Sequence, residues 1–168
     1  MGVSHDSVQQ QLQHLGISVP WYYSGELAIL SGALMQDEHI HALLPGRYES
    51  SLAMLVATNK RLLFVDKKPF TAIVEDIPYD TILEVDHGMR LIEGRLTVHT
   101  RSRTLLMHNW NAKRITGFAA YLKAHIVHLR EHLHFAHMDM SVNTATPKQR
   151  PERLSGGFLP GVQRVDIG

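Results

Sequence analysis

Seven short runs of apolar, β-branched and aromatic residues occupy the middle of this chain, from His39 to Trp110, and turn residues separate them. Runs of this kind are typical of antiparallel strands, and no helical period extends across the stretch. In the run Arg95–His99, Leu96 and Val98 alternate with polar neighbours, so one face of that strand meets a core and the other meets water. The pattern therefore predicts a single antiparallel sheet or barrel.

The predicted strands end at residues that favour turns. Pro45-Gly46 and Gly88 each end one, and Asn59, which tolerates positive φ, makes a hairpin of the segment Thr58–Arg61. The expected strands are His39–Leu44, Leu52–Ala57, Leu62–Val65, Phe70–Ile77, Thr81–His87, Gly94–Thr100 and Thr104–Asn109.

Helical patterns lie outside this region. From Ile115 to Met140, apolar residues recur at alternating steps of four and three, which is the strongest periodic signal in the chain. The expected helices are Ser7–Leu15, Ser24 to about Met35, and a long final helix that Asn109 or Asn111 can cap.

Charge and composition exclude several classes of protein. The formal net charge is +1, so no global field attracts nucleic acid. The chain has no cysteine, which excludes disulfides and thiolate metal sites and suits a reducing compartment. The apolar run Leu27–Met35 is too short to span a bilayer and lacks the preceding Lys or Arg of a signal peptide. We expect a soluble cytoplasmic protein without a transmembrane segment.

Two stretches resemble the bacterial PH-like domains, especially their YokE-like branch. Leu55–Val65 reads LVATNKRLLFV and resembles the L-x-x-T-N-x-R-L-x-F-x hairpin of that family, and Glu75–Ile82 is similar to its x-I-P-Y-x-x-I segment. Seven strands followed by an amphipathic helix is also the order of a pleckstrin-homology-like barrel. The resemblance covers about Glu38 to Ile126 and implies a non-enzymatic binding or scaffolding module with no catalytic residues.

We therefore expect a mainly β fold with α: a PH-like seven-stranded antiparallel β-barrel, capped by a long C-terminal α-helix and preceded by a helical extension. The expected divisions are an N-terminal helical extension (1–37), the PH-like domain with its elongated helix (38–139), and a flexible or partner-dependent tail (140–168). The tail is rich in Pro and Gly and has little periodicity.

Cations gather at the predicted turns and are candidate ligands for a phosphate or an anionic headgroup. A peripheral anionic-lipid or phosphate-binding domain is therefore the alternative function. Within the Thr58–Arg61 turn itself, side chains that satisfy turn backbone groups are a sufficient explanation of the motif. The candidate anion-binding residues are Lys60, Arg61, Lys67, Lys68, Arg101 and Arg103.

Five of the twelve histidines fall on the final helix. His125, His128 and His132 lie within an arc of about 60° on a helix of 3.6 residues per turn, and His128–His132 matches the H-x-x-E-H string of inverted zinc peptidases. Leu129 belongs to the row of apolar residues on the final helix, which we call the apolar seam, and no further acidic ligand is in place. We therefore expect the histidines to lie on a solvated surface, with no metal and no cofactor. A His-based metal-dependent enzyme is the third alternative.

The apolar seam of the final helix continues past the four turns, at about 5.4 Å each, that a PH-like barrel needs. Its continuation, left in water, would form an apolar patch. Either the N-terminal helices or a second copy of the chain must cover it, and we favour a second copy because symmetric dimers are common. We thus expect a module that binds a protein partner or itself, with the candidate interface residues Leu129, Leu133, Ala136 and Met140.

Overall fold

The fold consists of three helices and seven strands in a computed structural model, which describes residues 3–90 and 92–143 and the side chains of 3–89 and 92–132. The helices are α1 (His5–His14), α2 (Ser24–Ala33) and α3 (Ala112–Asn143). The strands are β1 (Ile40–Tyr48), β2 (Ser51–Thr58), β3 (Leu62–Lys67), β4 (Ala72–Ile77), β5 (Ile82–Arg90), β6 (Glu93–Thr100) and β7 (Thr104–Asn109). The predicted strands and helices are confirmed, with shifted ends.

The seven strands form one antiparallel sheet in the order β4-β3-β2-β1-β7-β6-β5. The sheet is not closed, because β4 and β5 are its edges and no ladder joins them in the described residues. Between these strands lie Pro78, which has no N–H to donate, and the 3₁₀ turn Tyr79–Thr81. The predicted seven-stranded architecture is thus confirmed without the closed barrel.

One face of the sheet and α3 enclose the larger core. The inward residues of α3 follow the predicted four-three spacing, and Leu129 continues the row as a half-buried residue packed against the same core. The buried helix residues are Ile115, Phe118, Ala119, Leu122 and Ile126.

The opposite face of β1–β3 carries a second core, which α1 and α2 cover. Leu27 and Leu30 of α2 pack with Met54 and Val56 of β2 and with Leu63 of β3. Because β2 is covered on both faces, its residues Ala53 to Ala57 are all buried and read as a continuous apolar run. The N-terminal helices therefore cover the sheet.

The predicted end of the first strand at Leu44 is wrong. Pro45 pairs with Met54 and Gly46 with Ala53, so β1 runs on to Tyr48. A Cβ at Gly46 would lie 2.6 Å from the His108 carbonyl oxygen, so only glycine permits this approach of β1 to β7. The Pro45-Gly46 pair usually marks a turn, but here it lies within β1 and allows β1 to approach β7 closely.

The start of α3 settles which asparagine caps it. Asn111 Oδ1 accepts hydrogen bonds from the N–H groups of Lys113, at 3.1 Å, and Arg114, at 3.3 Å, as an N-cap residue does. Most of the predicted tail, residues 144–168, lies outside the described residues. Among the helices of the described part, none has the length and apolar character needed to cross a membrane.

Replacing Gly46 by alanine is expected to lower the free energy of unfolding by about 1–3 kcal/mol, because the new methyl group must displace the backbone of β7. Urea unfolding measures this change. Gly117→Ala is the matched control, because its Cβ meets nothing within 4 Å in the interior of α3, and it should raise the stability by up to about 1 kcal/mol. Equal effects of the two substitutions would contradict the proposed close approach.

Candidate functional site

The Thr58–Arg61 turn is built around a buried ion pair. Arg61 Nε donates to Glu38 Oε1 and Arg61 Nη2 donates to Glu38 Oε2, both at 2.9 Å. Arg61 also donates to the Ala33 carbonyl oxygen at 3.0 Å and pairs with Asp76 of β4. We call Glu38, Thr58, Arg61 and Asp76 the Glu38–Arg61 joint; it links the end of α2 to β2, β3 and β4.

Hydrogen bonds hold Glu38 in its charged form although its side chain is fully buried. Burial acts to raise the pKa of Glu38, but donation from Arg61, from the Met35 N–H at 3.1 Å and from the Thr58 hydroxyl at 2.7 Å outweighs it. The net result is a pKa below the ordinary value of a glutamate. Glu38 therefore stays an anion facing Arg61.

Thr58 and Asn59 satisfy backbone groups, as the sequence predicted. Thr58 Oγ1 accepts from the N–H groups of Lys60 and Arg61, each at 3.1 Å. Asn59 Oδ1 accepts from the His39 N–H at 2.8 Å, and Lys60 Nζ lies 2.6 Å from Asp37 Oδ2. The polar groups of the T-N-x-R motif are thus engaged inside the chain.

The predicted anion-binding cations do not converge. Lys60 and Arg61 precede β3, whereas Lys67 and Lys68 lie at its other end. A strand of six residues is about 20 Å long, so the two pairs of cations are separated by about that distance. Lys68 Nζ lies 3.7 Å from the buried carboxylate of Asp66. These four residues therefore form two separate pairs at opposite ends of β3.

Arg101 and Arg103 form the turn between β6 and β7, by the gap between the edge strands. Arg103 pairs with Glu75 of β4, and its guanidinium lies over the ring of Phe64, 5.2 Å from the centroid. The Arg101 N–H donates to the Thr81 carbonyl oxygen at 3.1 Å. This turn therefore contacts β4 and the segment before β5, on both sides of the gap between the edge strands.

Two cavities, of about 250 and 270 Å³, lie where the segment after α1 meets β1 and the start of α3. Arg114 lines both, and its Nη2 donates to the Ser18 carbonyl oxygen at 2.8 Å. In the larger cavity, Arg47 and His108 each face Glu93, at 3.5 and 3.3 Å. The guanidinium of Arg47 is therefore paired within the chain.

A groove of about 220 Å³ separates the edge strand β5 from α3; we call it the β5–α3 groove. Leu83 and Val127 stand on its two sides and are 58% and 53% exposed, while Val85 and Ile126 are buried at its base. Arg130 Nη2 closes one end by donating to the Ile82 carbonyl oxygen at 2.6 Å. This apolar groove lies directly beside an unpaired strand edge.

Sequence reasoning missed this groove. Its β5 residues, from Ile82 to Val85, are buried, exposed, exposed and buried, because the ladder register shifts between Ile82 and Glu84, and this order departs from the simple alternation of a half-buried strand. The position of β5 at an edge follows from strand order, and the periodicity of the sequence does not reveal strand order. The one available signal was Leu83, an apolar residue next to the buried Ile82.

The predicted histidine stripe is divided in the structure. His128 and His132 are exposed, as expected, and their Nε2 atoms are 3.1 Å apart. His125 instead is half-buried against Tyr79 and Tyr121, at ring separations of 4.6 and 5.6 Å. Burial lowers the pKa of His125, and the nearby His41 and His128 lower it further. His125 thus belongs to an aromatic contact.

The predicted interface residues are only partly described. Leu129 packs against the core of its own chain and is half-buried there. The other three residues lie outside the part of α3 whose side chains the structure describes, and their role in an interface stays a prediction; they are Leu133, Ala136 and Met140.

Replacing Glu38 by glutamine is expected to lower the free energy of unfolding by about 3 kcal/mol at neutral pH, because Arg61 then loses its buried carboxylate partner. The lowered pKa of Glu38 means that its contribution is complete above the ordinary carboxyl pKa and is lost as the pH falls through the lowered value. The stabilities of wild type and Glu38→Gln should therefore converge in acid.

Urea unfolding across the acidic range measures this difference. Asp80→Asn removes an exposed carboxylate as the control and should change stability by no more than about 0.5 kcal/mol. A Glu38→Gln protein that is as stable as wild type at neutral pH would refute the role of the pair.

Comparison with known proteins places this architecture in a family. A DUF1696 family protein with a pleckstrin-homology domain from Shewanella loihica PV-4 is similar in structure, at 18% identity and a TM-score of 0.33, over 64% of this chain and 80% of that one. None of the curated proteins matches the sequence. Membership of the YokE-like branch stays a prediction. The bacterial PH domain model matches residues 34–124, more than half of the chain, and the protein therefore belongs to the bacterial PH domain family.

Proposed function

We propose that this PH-like domain is a non-enzymatic interaction module that binds an extended segment of a partner protein along β5, in the β5–α3 groove. The observation that supports this function is the coincidence of an unpaired strand edge with exposed apolar side chains on both sides of one groove. PH-like domains are generally non-enzymatic, which agrees with a binding role.

The backbone of β5 specifies the shape of the ligand. Half of the N–H and C=O groups of an edge strand point away from the sheet, and an added strand is the structure that pairs with them in register. This mode of recognition takes its affinity from main-chain hydrogen bonds and its specificity from alternate side chains. An extended segment is therefore the occupant that the edge favours.

The side chains of the groove specify the composition of the ligand. Its floor and sides are apolar, which suits apolar residues at alternate positions of the segment. Lys123 and Arg130 stand on the α3 side, whereas Glu84 is the acidic residue on the β5 side. An acidic residue on the α3 side of the segment would complement these cations.

A specific observation favours a second candidate, an anionic membrane surface. Phe70 is 98% exposed in the turn between β3 and β4, directly after Lys67, Lys68 and Pro69. An exposed aromatic side chain beside two lysines is the composition of a surface that inserts at a lipid headgroup layer. This surface is separate from the β5–α3 groove.

Selection from a displayed library of random linear peptides, followed by amide chemical-shift mapping, tests the first candidate. We expect selected peptides to have alternating apolar residues, to shift the amides of β5 and of the facing part of α3, and to lose binding to Leu83→Asp and Val127→Asp. The added carboxylates place charge on the apolar sides of the groove. Met89→Asp, at the exposed other end of β5, is the matched control and should retain binding.

Two results would contradict the groove proposal. Peptides that map to other residues, or a Leu83→Asp variant that binds as wild type does, would exclude it. Sedimentation with phosphatidylserine vesicles is the second arm: binding that Phe70→Ser abolishes, without any groove ligand, would support the membrane candidate in its place. A concentration-dependent dimer that Leu83→Asp dissociates would identify the partner as a second copy of the chain.

A further inference from the structure

Three potential metal ligands face one another on the hairpin of β5 and β6. Glu84 and Asp86 are two residues apart on β5, so they share a face of the strand, and Glu84 pairs across the ladder with His99 of β6. One ligand atom from each of the three lies within 4.8 Å of the other two. These residues play no part in the core or in the Glu38–Arg61 joint.

A fourth residue sets the orientation of the histidine. His99 Nδ1 lies 3.0 Å from Thr104 Oγ1, and His99 Nε2 lies 3.8 Å from Asp86 Oδ2. When Nδ1 donates its proton to the Thr104 hydroxyl, Nε2 is the nitrogen that carries the free lone pair. In that tautomer, the lone pair faces the carboxylate, and the space between them suits a cation.

We propose that Glu84, Asp86 and His99 bind a Zn²⁺ ion, with Thr104 as the positioning residue for His99. One imidazole nitrogen and two carboxylate oxygens are ligands that Zn²⁺ accepts, and three protein ligands leave a position for water. The carboxylates are exposed and His99 is half-buried, so the ion keeps contact with solvent. Bound cation also relieves the repulsion between two carboxylates on the same strand face.

The competing arrangement is an ion pair in which protonated His99 faces Asp86 without metal. This arrangement places the second proton on Nε2 and fills the space that the cation needs. The two arrangements then differ in a measurable way.

Calorimetric titration of the chelator-dialysed full chain with ZnCl₂ is the test. His128 and His132 form a second pair of nearby nitrogens, so the experiment uses the His128→Asn, His132→Asn background. We expect one saturable site that His99→Asn abolishes and that Glu84→Gln and Asp86→Asn each weaken. In long-range ¹H–¹⁵N spectra, His99 Nε2 should shift on zinc addition while Nδ1 stays protonated.

Two variants of Thr104 separate positioning from packing. Thr104→Val should weaken zinc binding by about tenfold, and Thr104→Ser, which keeps the hydroxyl, should restore it. His87→Asn is the matched control. His87 follows Asp86 on β5 and therefore faces the other side of the sheet, so this variant should bind zinc as tightly as the background protein does. Circular dichroism of every variant confirms that the fold persists.

Absence of saturable binding would overturn the proposal in favour of the ion pair. Binding that persists in His99→Asn, or zinc addition that leaves the His99 nitrogens unshifted, would also overturn it, because the metal would then occupy other residues.

Discussion

The buried pair between Glu38 and Arg61 is the contact on which the arrangement of this protein depends. A carboxylate without solvent contact is stable only when its oxygens are hydrogen-bonded and its charge is balanced, and Arg61, Thr58 and the Met35 N–H together provide this. The same guanidinium reaches α2 through the Ala33 carbonyl oxygen and β4 through Asp76. One side chain thus links the end of α2 to Glu38 and to β4.

The two faces of the sheet have different roles. On one side, α1 and α2 are held over β1–β3 and make the central strands inaccessible. On the other side, α3 covers the inner core but leaves the edge of β5 unpaired, with Leu83 and Val127 exposed. A sheet that presents an unpaired edge beside exposed apolar side chains is a suitable scaffold for a binding module, because the rest of the sheet holds that edge in position.

Sequence patterns predicted the strands, the helices and the family because each depends on local periodicity and on turn residues. The T-N-x-R hairpin was interpreted correctly as structural, since Thr58 and Asn59 have short-range partners. Its buried partner Glu38 was not recognised, because it lies twenty or more residues away from the turn. The continuation of β1 through Pro45-Gly46 was missed for a similar reason: the requirement for glycine comes from His108 on another strand.

For the candidate sites too, the sequence showed the local features, whereas contacts between distant elements appeared only in the structure. The cations at the turns were visible in the sequence, but their pairing with Asp37, Glu38 and Glu75 depends on contacts between distant elements. The β5–α3 groove and the Glu84–Asp86–His99 cluster depend on strand order and ladder register. Composition and spacing do not determine these two properties, so both sites required the structure.

A double-mutant cycle across the Glu38–Arg61 pair is the most direct test of this account. The stabilities of Glu38→Gln, Arg61→Gln and the double variant are measured by urea unfolding at neutral pH. If the pair links the end of α2 to the sheet, each single variant should lose most of the stability that the double variant loses, with a coupling energy of about 1.5 kcal/mol or more. Additive losses, with a coupling energy near zero, would contradict the account.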